Sequence, residues 1–236
     1  MVKNNLNIWP DWEKSLKDNE ETKTLLARIR EIEDIEVPDE YKDIWNKVSL
    51  EVQKQKAANY RLTEEQTETC LAQLCKRPYY LVSIAAEFGV KNIAEVGTAE
   101  GLQYYSFAEY VSGVNGHVWS CDIKDVRNKE CVEQYKENST FCLGDSKKLA
   151  STLEEKIDMY YIDAAHDYGD VVRDVVNLKG TQSDNPIWVF DDFDQRFGCY
   201  RDIKKLCEMK KAFKVYRVGN AASGNPNHQV IVFGKF

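Results

Sequence analysis

The stretch Ile93-Ala94-Glu95-Val96-Gly97-Thr98-Ala99-Glu100-Gly101 decides the fold. A short apolar run meets a glycine, a second glycine follows, and residues 102–111 then carry helical apolar spacing. A strand that turns on Gly97 straight into a helix opens a parallel β-α unit. Outward from it the alternation repeats. Residues 117–122, 140–145, 157–163 and 186–192 read as further strands, and 130–137, 168–178 and 199–209 as helices. Residues 213–218 and 229–233 read as two last strands, joined by a small, polar connection over 219–228. The expected fold class is α/β: a doubly wound, mostly parallel seven-stranded sheet with a final antiparallel strand.

The N-terminal part differs from this. It is rich in Glu, Lys, Asp and Asn, has no glycine before Gly89, and is broken only by Pro10 and Pro38. Helical spacing recurs in it, and Thr63-Glu64-Glu65-Gln66 is a capping-box pattern that should open a helix running to about Cys75. Arg77-Pro78 punctuates, and a further helix over 79–88 ends at Gly89. The chain therefore divides into a helical extension, 1–76, and a domain, 77–236. The extension could cover a site or pair two copies of the chain, and Trp9, Trp12 and Trp45 suit either role.

Composition narrows the function classes. The 236 residues are 43% hydrophobic and 30% charged, which is globular composition. A net charge of −7 with no basic block argues against nucleic acid as a partner. No apolar run is long enough to span a bilayer, and the first residues do not form a secretory leader, so no membrane partner and a cytoplasmic location are expected. Seven scattered cysteines without Cys-x-x-Cys read as reduced thiols used as small apolar residues.

In a sheet of this kind ligands sit beyond the carboxyl ends of the strands. Those ends carry Glu95 and Gly97, then Asp122, Asp145, Asp163, and Asp191 with Asp192. Asp122 or Asp145 alone also reads as a solvated loop residue, and Asp191-Asp192 as a helix cap; together, in this order, the acids converge on one rim. Gly97 permits a tight turn and Gly101 a close approach at the helix start. Asp122 stands where an acid can accept ribose hydroxyls, and Asp145 where one can accept from an adenine amino group. Only two glycines are present, not the three of a dinucleotide fingerprint, and Glu95 and Glu100 suit a cationic ligand better than a pyrophosphate.

The string 93–101, with Asp122, Gly144-Asp145 and Ile162-Asp163, resembles the class I S-adenosylmethionine-dependent methyltransferases, which are Rossmann-like. Ile162-Asp163-Ala164-Ala165-His166-Asp167-Tyr168-Gly169-Asp170-Val171-Val172-Arg173-Asp174 and Val189-Phe190-Asp191-Asp192 narrow it. They resemble the small-molecule O-methyltransferases related to macrolide-sugar and catechol enzymes. Ala164-Ala165 replaces the usual glycine, and residues 179–185 lack the Pro-Gly-Gly that commonly precedes the fifth strand. The resemblance implies that Glu95, Gly97, Thr98, Gly101, Asp122, Asp145, Ser146 and Asp163 hold S-adenosylmethionine. It implies a divalent cation, Mg²⁺, on Asp163, Asp191 and Asp192. Carboxylates are hard oxygen ligands of the kind Mg²⁺ takes.

Methyl transfer needs an acceptor that is positioned and deprotonated. A cation beside a hydroxyl favours the alkoxide, and His166 is the candidate base, with Asp163 as its catalytic neighbour. The expected function is Mg²⁺-assisted O-methylation of a small hydroxylated acceptor such as a sugar, phenol or natural product. The alternative is a catalytically silent S-adenosylmethionine-binding module serving as a regulatory or scaffold subunit. It would use Gly97, Asp122 and Asp145 and leave the Asp163, Asp191 and Asp192 cluster idle.

Overall fold

Strand β1 (Asn92–Val96) forms where the apolar run places it and pairs in parallel on both sides, with β2 (His117–Asp122) and β4 (Ile157–Ile162). A strand buried on both faces reads as mostly apolar sequence, and in β1 only the buried Glu95 interrupts the run from Ile93 to Val96. The computed structural model describes residues 76–208, 210–216 and 228–236, with isolated positions 24, 27, 28, 52, 54, 55, 58, 63 and 65 before them. Strand β3 (Ser139–Leu143) pairs with β2, and β5 (Gln182–Phe190) with β4, both in parallel. Strand β6 (Lys211–Tyr216) and β7 (His228–Phe233) close the edge, with β7 antiparallel between β5 and β6. The order β3-β2-β1-β4-β5-β7-β6 is the expected seven-stranded, doubly wound sheet.

Helices cover both faces. On one lie α1 (Lys76–Glu87), α2 (Leu102–Gly113) and α3 (Lys129–Gln134). Leu81, Ile84, Tyr104, Phe107 and Cys131 pack there on Ile93, Met159, Tyr161 and Val189. On the other lie α4 (Ser146–Thr152), α5 (Asp170–Leu178) and α6 (Tyr200–Glu208). Leu149, Val175 and Ile203 meet Ala94, Tyr160, Trp188 and Phe190 there. Successive strand residues point to opposite faces, so Tyr160 and Tyr161 serve different cores.

Several boundaries differ from the sequence expectation. Helix α1 starts at Lys76, with Arg77-Pro78 inside its first turn, where proline's missing N–H costs nothing. Helix α4 was not expected. Asp145 caps it, its Oδ1 accepting the Lys148 N–H at 2.9 Å. Strand β5 begins at Gln182 rather than at Pro186, and its pairing with β4 jumps from Ile157↔Gln182 to Met159↔Ile187. Pro186 sits in that irregularity, where no ladder donor is needed. Cys121, Cys131, Cys142, Cys199 and Cys207 are buried thiols, as their reading as small apolar residues requires. Of the capping box, Thr63 lies outside a helix and Glu65 within one. The rest of that expected helix, Trp9, Trp12 and Trp45, and most of the 219–228 connection fall outside the described residues.

Candidate active site

Strand order reverses between β1 and β4, and a crevice opens there beyond the strand ends. The cavity measures about 500 Å³. Glu95, Gly97, Thr98, Asp122, Asp145, Ser146, Asp163 and His166 all line it.

The β1–α2 turn is its floor. Gly97 has φ 99°, and a Cβ there would stand 1.9 Å from the Asp163 carbonyl oxygen. Only glycine lets the turn lie this close to the end of β4. Gly101 stands behind the turn at φ 98°, against the ring of Tyr105. Glu95 is buried at 1% exposure and accepts the Ser120 hydroxyl at 2.6 Å. Thr98 Oγ1 lies 2.5 Å from Ser120 Oγ, completing a chain from the turn through β2 to β1. Thr98 thus braces the turn from within.

Asp122 Oδ2 accepts the Ala99 N–H at 2.9 Å and Oδ1 accepts the Lys124 N–H at 3.1 Å. Each carboxylate oxygen has a second lone pair, so two acceptor positions remain for a ligand's hydroxyls. Ala99 takes φ 47° to present its N–H, a left-handed conformation that costs a non-glycine residue energy. Ile123, 76% exposed, follows on the cavity wall and offers an apolar plate. Asp145 spends one oxygen on the α4 cap. The buried Ser146 hydroxyl donates to Asp174 Oδ1 at 2.6 Å and accepts from Asn177 Nδ2 at 2.9 Å. It joins α4 to α5, so its side chain braces the wall. Burial raises the Asp174 carboxyl to about 6, against the lowering effect of Ser146.

A second group of side chains gathers at the mouth. His166 Nε2 lies 2.6 Å from Asp192 Oδ2. One ligand atom from each of Asp163, His166 and Asp192 comes within 4.8 Å of the others. Asp192 reaches this position from a left-handed backbone, φ 54°. The imidazole rests on the Phe197 ring at 4.7 Å, and the His166 carbonyl accepts the Cys199 N–H at 2.9 Å, which pins the loop. The hydrogen bond to Asp192 raises the His166 pKa; burial opposes it, and the charges of Asp192, Asp163 and Asp191 add to it. Asp191 is buried and does not belong to this trio. Its Oδ2 accepts from the Tyr161 hydroxyl at 2.9 Å and its Oδ1 from the Asp192 N–H at 2.9 Å.

Two cavity residues escaped the sequence reading. Gln103, on the first turn of α2, is 4% exposed, and both amide atoms lack a hydrogen-bond partner. A buried amide left so is expensive unless a ligand supplies the partners. Asp174 is the other; the quoted motif ended on it without a role. The residues present fit a zwitterionic nucleoside. Gly97 clears a cradle that a Cβ would fill, Gln103 offers an unspent donor and acceptor, and Asp122 and Asp145 retain acceptor capacity. The trio at the mouth, two carboxylates and an imidazole, fits a divalent cation by donor chemistry.

Residues 94–193 match a family model described as a methyltransferase domain. No curated protein matches the sequence. Solved structures match the fold. The O-methyltransferase TomG from Streptomyces achromogenes, involved in tomaymycin synthesis and solved with S-adenosylmethionine, aligns at TM-score 0.58 with 13% identity, over 79% of this chain and 96% of its own. An O-methyltransferase from Bacillus cereus with S-adenosylhomocysteine aligns at 0.57 with 15% identity, over 82% and 96%. A Podospora anserina methyltransferase with S-adenosylhomocysteine aligns at 0.54 with 15% identity, over 92% and 97%. At such identities these structures speak for the fold. The chain thus has the Rossmann-like fold of these structures, with a methyltransferase-domain match over residues 94–193 that spans the crevice. Among the described residues no helix is long and apolar enough to cross a membrane.

Proposed function

We propose that this enzyme transfers a methyl group to a hydroxyl of a small molecule, assisted by a divalent cation, and that it works in the cytoplasm. The observation that carries the reading is the trio Asp163, His166 and Asp192 at the mouth of the cavity. A silent binder would have no use for a histidine paired to a carboxylate beside the crevice.

When bound, S-adenosylmethionine supplies a methyl group already activated on a sulfonium. Asp122 would accept its ribose hydroxyls, Asp145 would serve its base, and Gln103 would supply a donor and an acceptor to its amino-acid group. Glu95 acts through Ser120 and Thr98 to hold the turn rigid. Asp163 and Asp192 would hold the cation, which supplies positive charge beside the acceptor hydroxyl and lowers its pKa. An ionised carboxylate only accepts, so in the neutral ring His166 donates Nε2–H to Asp192. Nδ1 is then left to take the acceptor's proton, and Asp192 fixes the ring's tautomer and aim. Phe197 packs on the imidazole and the Cys199 N–H holds the His166 carbonyl, which helps fix the ring for that transfer.

The test is calorimetric titration of S-adenosylhomocysteine with Mg²⁺ and with EDTA, on wild type and Asp192→Ala. Micromolar binding and a separate Mg²⁺ signal lost in Asp192→Ala are expected. Binding with no Mg²⁺ signal sinks the cation, and no binding by folded protein sinks the reading as a whole. Once an acceptor is found, His166→Ala should lower kcat by about 10²- to 10⁴-fold.

A further inference from the structure

Tyr161 is buried at 0% exposure on β4, two residues before Asp163, which follows the strand's end. Its hydroxyl lies 2.8 Å from Asp163 Oδ2 and 2.9 Å from Asp191 Oδ2. Phe107 packs edge-on against its ring at 6.1 Å. Asp191 Oδ1 in turn accepts the Asp192 N–H, and Asp192 holds the left-handed backbone that brings its carboxylate to His166. One phenol thus touches Asp163 directly and Asp192 through Asp191. Both carboxylates of the trio take their bearings from it.

We propose that Tyr161 is the positioning residue of the cation site. Its hydroxyl fixes the Asp163 carboxylate and, through Asp191, the turn that carries Asp192. This deepens the proposed function and rests on that reading. A phenol carries one proton and cannot donate fully to two carboxylates. Asp191 then serves as the link between Tyr161 and the Asp192 turn. That role accounts for a buried acid whose oxygens already have partners. Groups that orient ligands from behind typically change metal affinity by about 10- to 100-fold when removed.

The experiment is Mn²⁺ titration of the full chain, read by the electron paramagnetic resonance signal of free Mn²⁺, without acceptor or turnover. S-adenosylhomocysteine affinity is measured alongside. Tyr161→Phe keeps the ring and loses the hydroxyl. It should weaken Mn²⁺ by about 10- to 100-fold and leave S-adenosylhomocysteine within about threefold. Tyr160→Phe, whose hydroxyl partners Thr181 on the other face, should change neither. In Asp191→Asn the phenol can give its whole proton to Asp163, and the amide oxygen can still accept the Asp192 N–H. Mn²⁺ affinity should then stay within about threefold, a result that stands even if Tyr161→Phe does not fold. Wild-type Mn²⁺ affinity in folded Tyr161→Phe overturns the positioning role alone, as does a loss in Asp191→Asn of tenfold or more. Absence of Mn²⁺ binding by wild type that still binds S-adenosylhomocysteine overturns the cation reading, and the role of Tyr161 with it.

Discussion

Gly97 carries the tightest demand among the described glycines. Its missing side chain is what lets the β1–α2 turn touch the backbone of Asp163, and a Cβ would find that carbonyl carbon at 2.5 Å as well as its oxygen. Backbone cannot yield as a flexible side chain can. Gly97→Ala should therefore cost about 1–3 kcal/mol in urea unfolding and weaken S-adenosylhomocysteine at least tenfold in calorimetry. Binding at wild-type strength would mean that the turn is not the cradle. Asp174 makes a prediction of the opposite sign. Burial lifts its folded pKa from 3.8 to about 6, so the folded chain holds the proton more tightly than the unfolded chain. That stability is full below 3.8 and is lost as pH rises through about 6. Asp174→Asn removes the ionisation and should be the more stable protein at pH 8, by up to about 3 kcal/mol, with little difference at pH 4. Equal pH slopes in unfolding titrations would refute it. Gly97, Asp163 and His166 were legible because each stands at a strand end in a fixed pattern. Tyr161 and Gln103 were not, because a buried tyrosine on a strand or a glutamine on an apolar helix looks like core until its distant partner, or the lack of one, is seen.

At the level of elements, the strands were legible and one helix was not. Continuous apolar runs bounded by glycine and acid announce buried parallel strands, and each of the seven lies within a few residues of its expected place. Helix α4 is seven residues with one fully buried apolar side chain, Leu149, too short to show a period. Its signal was Asp145 itself, read as a ligand or a solvated loop residue. The acid does capping work first. Asp145→Ala should lose about 1 kcal/mol of stability, while Asp145→Asn, still able to accept the Lys148 N–H, should recover most of it. Cofactor affinity separates the second role. If the carboxylate also meets the base, both variants weaken S-adenosylhomocysteine; if only the cap matters, the asparagine variant binds like wild type. Strand β5 shows the opposite failure. Its early residues, 182–185, pair irregularly and carry Asp184 and Asn185 on the surface, so neither period nor apolar content marks them as strand.

At the scale of the whole molecule, the question is how far the N-terminal segment and the α/β domain stand apart. Composition set residues 1–76 off from the rest, yet Val52 is 0% exposed and packs in the same cluster as Leu81, Ile84, Tyr104 and Phe107. Gln55 Nε2 donates to the Val126 carbonyl at 3.2 Å, on the loop that follows Asp122. Arg28 pairs with Glu87 at 2.6 Å and lies over the Phe88 ring. The contacts differ in weight. The Arg28 pair is 40% and 42% exposed, so Arg28→Ala should cost less than about 1 kcal/mol. Val52→Ala removes two buried methyl groups from a packed core and should cost about 2 kcal/mol in urea unfolding, with an unchanged m-value. The same titration, repeated with S-adenosylhomocysteine at 100 times its Kd, should stabilise wild type by about 2.7 kcal/mol. If Val52 serves only the core, Val52→Ala gains the same amount, because linkage depends on affinity and not on the starting stability. If the segment also sets the loop that carries Gln55's partner, Val52→Ala binds more weakly and gains less at that same ligand concentration. The gain in Val52→Ala thus separates a segment that only packs from one that shapes the cofactor's binding site.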